Sequence, residues 1–140
     1  MKDNFKQERV NLAAAFRWAA RLNMHEAIAN HFSLAVSDDG SQFLLNPIGM
    51  HFSQICASDL LLLDSNNAET MSQPNAPDAT AWAIHGAIHR NNLHARCILH
   101  VHSKYATILS CLEDKTMKPI DQNTMRFYEK VSIDYDYDGM

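Results

Sequence analysis

The sequence predicts an α/β fold with a mixed sheet, in which hairpin strands come first and a crossover helix follows. Three observations carry that expectation. Apolar residues recur at helical spacing near the N-terminus and again around residues 79–91. From His31 the period changes to two. Later, Cys97-Ile98-Leu99-His100-Val101 is a short, apolar, partly β-branched run, which reads as a buried strand. No repeat or low-complexity tract divides the chain, so residues 1–140 are expected to form one domain.

In chain order, residues 4–22 predict a helix. Asn4 would be its N-cap, with Gln7 three residues on, and Asn23 its stop. Leu12, Phe16 and Ala19 or Ala20 form its apolar stripe. Phe32, Leu34 and Val36 then alternate with Ser33, Ala35 and Ser37, the pattern of a half-buried strand. Asp38-Asp39-Gly40 is a hairpin turn, and Gln42 to Leu45 is the returning strand. Asn46-Pro47-Ile48-Gly49 breaks that strand, and Gly49 suits a positive φ or the close approach of a ligand. Leu60 to Asp64 has strand length and reads as buried on both faces. Residues 65–77, with Pro74 and Pro77, read as a loop.

Asp78 suits the N-cap of a helix over 79–91 with a core stripe of Ala81, Ile84 and Ile88. His85 and His89 share one face of it. They are expected to be one packed and one surface histidine, because Gly86 stands where a metalloprotease helix carries Glu. Ser103 suits a cap for a helix over about 104–112. Thr124 to Tyr128 predicts a short helix and Lys130 to Tyr135 a strand. Asp134, Asp136 and Asp138 alternate with Tyr135 and Tyr137 as a solvated strand edge; a calcium loop would need a terminal Glu that is missing.

Composition narrows the function classes. With 46% hydrophobic and 20% charged residues the chain is globular in character. A net charge of −4 gives no electrostatic case for nucleic acid or an acidic membrane surface. The apolar runs are too short to span a bilayer, and Met1 to Glu8 lacks the apolar core of a signal peptide. Cys56, Cys97 and Cys111 are odd in number and set among apolar neighbours. They read as buried hydrophobes in a reducing, cytoplasmic compartment.

The chemistry concentrates at His100 and His102. Residues i and i+2 of a strand point to the same face, so two imidazoles project side by side where a buried strand ends. Neutral imidazole suits zinc and similar cations, and α/β folds place their sites at such strand ends.

Several segments, in this order, resemble the class II aldolase/adducin family. They are the N-terminal helix, Asn30-His31-Phe32-Ser33, Phe43 to Gly49, Ser58-Asp59-Leu60, Ala81 to His85 and His100-Val101-His102. The wording of Trp82 to His89 and Pro119 to Tyr128 is closer to adducin-like bacterial members than to the sugar aldolases. The resemblance implies a layered α/β/α fold around a largely antiparallel sheet, commonly a homotetramer with sites at subunit interfaces. It implies a divalent metal, usually zinc, held by a His-x-His pair and a later third His; His100 and His102 match the pair. Asn30, Gly49 and Thr80 fall in or near segments that hold a substrate phosphate in the aldolases, with Thr80 in place of a Ser.

Two departures matter. The aldolases carry a Glu, acid/base and metal partner, at the position that is Ala81 here. The third His lies beyond a segment like Tyr135 to Gly139, and the sequence stops at Met140. The chain thus resembles about the first two-thirds of the domain, with the third ligand and closing strands absent. The expectation is a homo-oligomeric domain with a partial zinc site, related to aldehyde-lyases that act on small sugar phosphates. The alternative is a non-catalytic adducin-like assembly module or an inactive truncated paralogue. His31, His51 or a neighbouring subunit could complete the metal site, and Asp121, Tyr128 or a metal-bound hydroxide could supply a base.

Overall fold

The computed structural model describes residues 4–136. These fall into two compact units, one reaching to Ser103 and one starting at Lys104.

The first unit is built on a four-stranded sheet. Its strands are β1 (His31–Ala35), β2 (Gln42–Leu45), β3 (Leu61–Asp64) and β4 (Cys97–His100), in the order β3-β2-β1-β4. Every described pair is antiparallel, so the largely antiparallel sheet is present without any parallel member. Helix α1 (Lys6–Arg21) covers one face. Leu12, Phe16 and Ala19 on the helix pack with Phe32 and Leu44 from the sheet, and with Phe52, Ile55 and Leu60. The Phe16 ring stacks on Phe32 with centroids 4.8 Å apart. Helix α2 (Ala79–Asn91) covers the other face, where Ala81 packs with Phe43 and Leu45. Alternation along β1 and β2 thus feeds two cores at once.

The helix ends follow from local chemistry. Asn4 does not cap α1; Phe5 occupies the N-cap position at φ 63° without a side-chain bond. At the other end Asn23 takes φ 53°, and Met24 N donates to the Ala19 carbonyl at 3.0 Å. That bond, with Asn23 N on the Ala20 carbonyl at 3.2 Å, is a Schellman stop. For α2 the expected cap holds: Asp78 Oδ1 accepts from Ala81 N at 2.9 Å.

Four expectations need correction. β1 is buried on both faces rather than half-buried, because α2 covers the face that carries His31 and Ser33. The buried stripe of α2 is Ala81, His85 and His89, while Ile84 and Ile88 are exposed. The polar residues of β1 need partners, and the histidine side of the helix supplies them. Neither Leu60–Asp64 nor Cys97–Val101 is a central strand: β3 and β4 are the sheet edges, and Leu62 and Leu99 are exposed. Nor are the three cysteines buried; Cys56, Cys97 and Cys111 all reach the surface.

The hairpin tip is tied to α2. Gly40 takes φ 71°, and a Cβ there would lie 2.2 Å from the His89 carbonyl oxygen. Asp39 accepts from Ser37 Oγ at 2.7 Å, from Ser41 N at 3.0 Å and from Ser41 Oγ at 2.7 Å. These bonds hold its carboxyl down at about 2.

The second unit contains α3 (Lys104–Ser110) and α4 (Gln122–Met125), and no described residue in it is buried. Asp121 and Thr124 form a reciprocal capping box on α4. Residues 130–136 form no strand among the described residues. Asp136 N turns back to Asp134 Oδ1 at 3.0 Å, and such a turn removes a donor from any ladder. Tyr137, Asp138 and Gly139 lie outside the described residues. No described helix is long and apolar enough to cross a membrane.

Candidate metal centre and adjoining cavity

His100 is the last residue of β4 and pairs across the ladder with His31. Facing residues of an antiparallel pair share a face, and the His31 and His100 rings stack with centroids 4.3 Å apart. His102 follows two residues on, and its Nε2 lies 2.9 Å from His100 Nε2. Behind it, His102 Nδ1 donates to Glu26 Oε2 at 2.6 Å. A proton held on Nδ1 leaves the lone pair of His102 on Nε2, the tautomer a metal ligand needs. No third His, Cys, Asp or Glu joins the pair in a metal-holding group among the described residues.

A chain of buried groups runs inward from His31. His31 Nδ1 and His85 Nε2 are 2.7 Å apart. His85 Nδ1 meets Ser33 Oγ, which lies 2.7 Å from His89 Nε2. His89 Nδ1 lies 2.9 Å from the Ala95 carbonyl. That carbonyl can only accept, so it orders the chain: each nitrogen or hydroxyl donates toward Ala95. His85 and His89 are both buried, which corrects the expectation of one packed and one surface histidine. Burial, then the neighbouring His31, lowers the His85 pKa to about 3. Burial, then His100, lowers that of His31 to about 4. Burial likewise lowers that of His89. All three are neutral at pH 7.

His31 also lines a cavity of about 40 Å³ with Asn30, Asn46, Asp78 and Ala81. Asn30 is 2% exposed, and its Oδ1 accepts from Glu26 N at 2.6 Å. Its Nδ2 has no hydrogen-bond partner among the described residues. Asn46 fixes this corner by accepting from Phe32 N at 3.1 Å and donating to the Asn30 carbonyl at 3.3 Å. Of the residues expected at a phosphate site, only Asn30 lines the cavity. Gly49 takes φ 78° beside the lining residue Ile48, with open space where a Cβ would stand. Thr80 lies in the first turn of α2, beside the lining residue Ala81. Ala81 presents only a methyl group.

Of the other proposed contributors, His51 pairs with His25, Nε2 to Nε2 at 2.8 Å. Asp121 is engaged in its helix cap and Tyr128 is exposed, both in the second unit. Glu26, Ser33, His85 and His89 had no assigned role in the sequence reading. Their one signal was the coincidence of Ser33 at a strand position with a histidine pair at i, i+4 on the next helix.

A four-stranded antiparallel sheet between two helices, with a His-x-His at an edge-strand end, defines the class. Residues 10–140 match the family described as Class II Aldolase and Adducin N-terminal domain, and the chain belongs to that family. Its fold matches an aldolase II superfamily protein from Pseudomonas syringae with a TM-score of 0.75 at 30% identity, covering 86% of this chain and 49% of that one. It matches L-fuculose 1-phosphate aldolase from Glaciozyma antarctica with a TM-score of 0.73 at 26% identity, over 86% of this chain and 49% of that one. It is 27% identical to the decarboxylase NovR of Streptomyces niveus, over 99% of this chain and 53% of that protein. The chain spans about half the length of the curated relatives it matches.

Proposed function

We propose that this chain is the metal-holding and substrate-holding part of a class II aldolase-type carbon–carbon lyase acting on a small hydroxy-carbonyl compound. The observation that carries the reading is the convergence of His100 and His102 Nε2 at 2.9 Å, with Glu26 holding the Nδ1 proton of His102. The two imidazoles are part of the donor set of a divalent cation, zinc first; a catalytic zinc takes a third protein ligand, which the described residues of this chain do not add. When bound, the cation supplies Lewis-acid polarisation of a substrate carbonyl. His100 and His102 hold it, and Glu26 fixes the ring and tautomer of His102. Asn30 and His31 orient the substrate in the adjoining cavity. The family relation also supports a homo-oligomeric assembly of the whole protein.

Ala81 favours cleavage by decarboxylation over retro-aldol cleavage. A retro-aldol step must take a proton from a hydroxyl as the bond breaks, and a methyl group cannot accept one. Loss of carbon dioxide from a carboxylate needs no proton removed first. The relatives named as aldolase and as decarboxylase are consistent with both outcomes.

The test incubates the chain and its His100→Ala variant with zinc or manganese and a panel of small hydroxy-keto acids and ketose phosphates. Carbon-13 NMR then follows the products. Carbon dioxide release that disappears in the variant supports the reading. No cleavage of any compound under conditions where the wild type is loaded with metal overturns it in favour of a binding module.

A further inference from the structure

We propose that the cavity beside Asn30 and His31 binds an uncharged hydroxyl group of the ligand rather than a phosphate, with Asn30 Nδ2 donating to the hydroxyl oxygen and His31 Nε2 accepting its proton. The inference deepens the lyase reading and rests on this cavity being its substrate site, but it concerns binding alone.

The two walls of the cavity are set by what lies behind them. Asn30 spends its oxygen on Glu26 N, so its amide cannot turn over without losing that bond. Its Nδ2 is left as a closed-in donor with nothing to meet. Such a donor favours any ligand that accepts from it, because an unpaired buried polar group is costly. His31 is fixed by the longer chain. The Ala95 carbonyl takes the Nδ1 proton of His89, whose Nε2 accepts from Ser33 Oγ. Ser33 Oγ accepts from His85 Nδ1, and His85 Nε2 accepts from His31 Nδ1. The proton of His31 is therefore on Nδ1 and its lone pair on Nε2, which makes no hydrogen bond to the described residues.

Asn30 and His31 both line a space of about 40 Å³, room for a water or a small polar group, and the polar atoms they have left for it are one donor and one acceptor. A hydroxyl satisfies both walls, since it accepts and donates at once. A carboxylate or a phosphate-ester dianion has no proton to give His31. It would also face the Asp78 carboxylate, and no Lys or Arg lines the cavity. An ammonium group would leave Asn30 unpaired. This assignment departs from the phosphate role that the resemblance implies for Asn30.

The experiment titrates the nitrogen-15-labelled chain at pH 8, without added metal, with hydroxyacetone, acetone and methyl phosphate, whose dianion carries no hydroxyl proton. The readouts are the Asn30 side-chain amide and the His31 ring nitrogens. Hydroxyacetone is expected to shift both in a saturable way. Acetone, which can accept but not donate, and methyl phosphate should bind about tenfold more weakly or less. Asn30→Asp should lose the hydroxyacetone response. Ser33→Ala, which cuts the chain, should weaken it and release His31 into a mixture of tautomers. Even if either variant does not fold, the wild-type spectra decide. A His31 proton found on Nε2 overturns the proposal, as does methyl phosphate binding as tightly as hydroxyacetone, or no response to any probe. Absence of carbon–carbon cleavage would leave these spectra untouched and so counts against the lyase reading alone.

Discussion

Two pairs of histidines in the first unit look alike at their tips. His100 and His102 bring Nε2 to Nε2 at 2.9 Å, with ring planes 70° apart. His25 and His51 do the same at 2.8 Å, with planes 75° apart. What stands behind the tips differs. His102 Nδ1 faces a carboxylate, so it carries the proton, and Nε2 keeps a lone pair that accepts from His100 Nε2 and can turn to a cation instead. His51 Nδ1 faces two groups of Ser53, the hydroxyl Oγ at 2.8 Å and the backbone N–H at 3.2 Å, and of these the N–H can only donate. It must accept there, so the His51 proton sits on Nε2 and is given to His25 Nε2. Both pairs close through an Nε2–Nε2 hydrogen bond, but the Ser53 N–H holds the donated proton on His51 Nε2, whereas no described group engages His100 Nδ1, so the His100 proton can move there and leave both tips to a cation. Two imidazole tips at bonding distance do not make a metal site; the group on the far nitrogen decides.

The largest expected effect breaks the comparison from below, with acid. The His31, His85 and His89 chain stands behind the first pair. The pKa of His31 falls from 6.5 to about 4 in the folded chain, and that of His85 to about 3. Between pH 6.5 and about 4 the unfolded chain binds a proton at His31 that the folded chain does not. Stability is therefore full above pH 6.5 and is lost as the pH falls through that window, with His85 extending the loss toward pH 3. His31 alone is worth on the order of 3 kcal/mol. Urea unfolding at pH 7 and pH 4.5 measures this. A flat profile would mean that these histidines are protonated in the fold.

Next comes zinc affinity. His102→Ala should lower it by more than about 100-fold, since it removes one of only two protein ligands. Calorimetric titration at pH 7 checks this. Nanomolar binding by the wild type would show that a further ligand completes the site. Glu26→Gln should cost about 10–100-fold, the range for losing the group that orients a ligating histidine. Gln keeps the size of Glu but can aim its amide N–H at His102 Nδ1, which would place the proton on the wrong nitrogen.

The contrast between the pairs also marks what the sequence could show. His100-x-His102 was legible because two-residue spacing on a strand needs no knowledge of the fold. The hairpin, the α2 cap and the Asn23 stop were legible for the same reason, as local chemistry. Glu26 was not, because 76 residues separate it from His102. The edge positions of β3 and β4 were misread as interior, since an apolar run looks the same at an edge as at the centre until strand order is known. The burial of His85 and His89 was misread because histidine is indifferent to burial until a partner is found. Ser33 and His31 on the facing strand are that partner, and only the β1–α2 packing brings them there.

The smallest expected effect is the sharpest test of the comparison. His51→Ala should change zinc affinity by about twofold or less, although it removes an imidazole whose Nε2 sits as close to a second histidine as in the first pair. For His51 to bind zinc, its proton must move from Nε2 to Nδ1. That nitrogen would then confront the Ser53 N–H, an accepted bond would be lost, and two donors would face each other. His25 does not escape the same argument. Its Nε2 accepts from His51, so its own proton is on Nδ1, which is buried without a partner. Nothing there holds the ring for a cation as Glu26 holds His102. Ser53→Pro removes both the backbone N–H and the hydroxyl that face His51 Nδ1, and with them the constraint on His51. If the fold tolerates it, zinc affinity at this pair should rise, and a second, weaker binding event should appear in the titration. A second event already present in the wild type, abolished by His51→Ala, would show that the backbone donor does not set the tautomer.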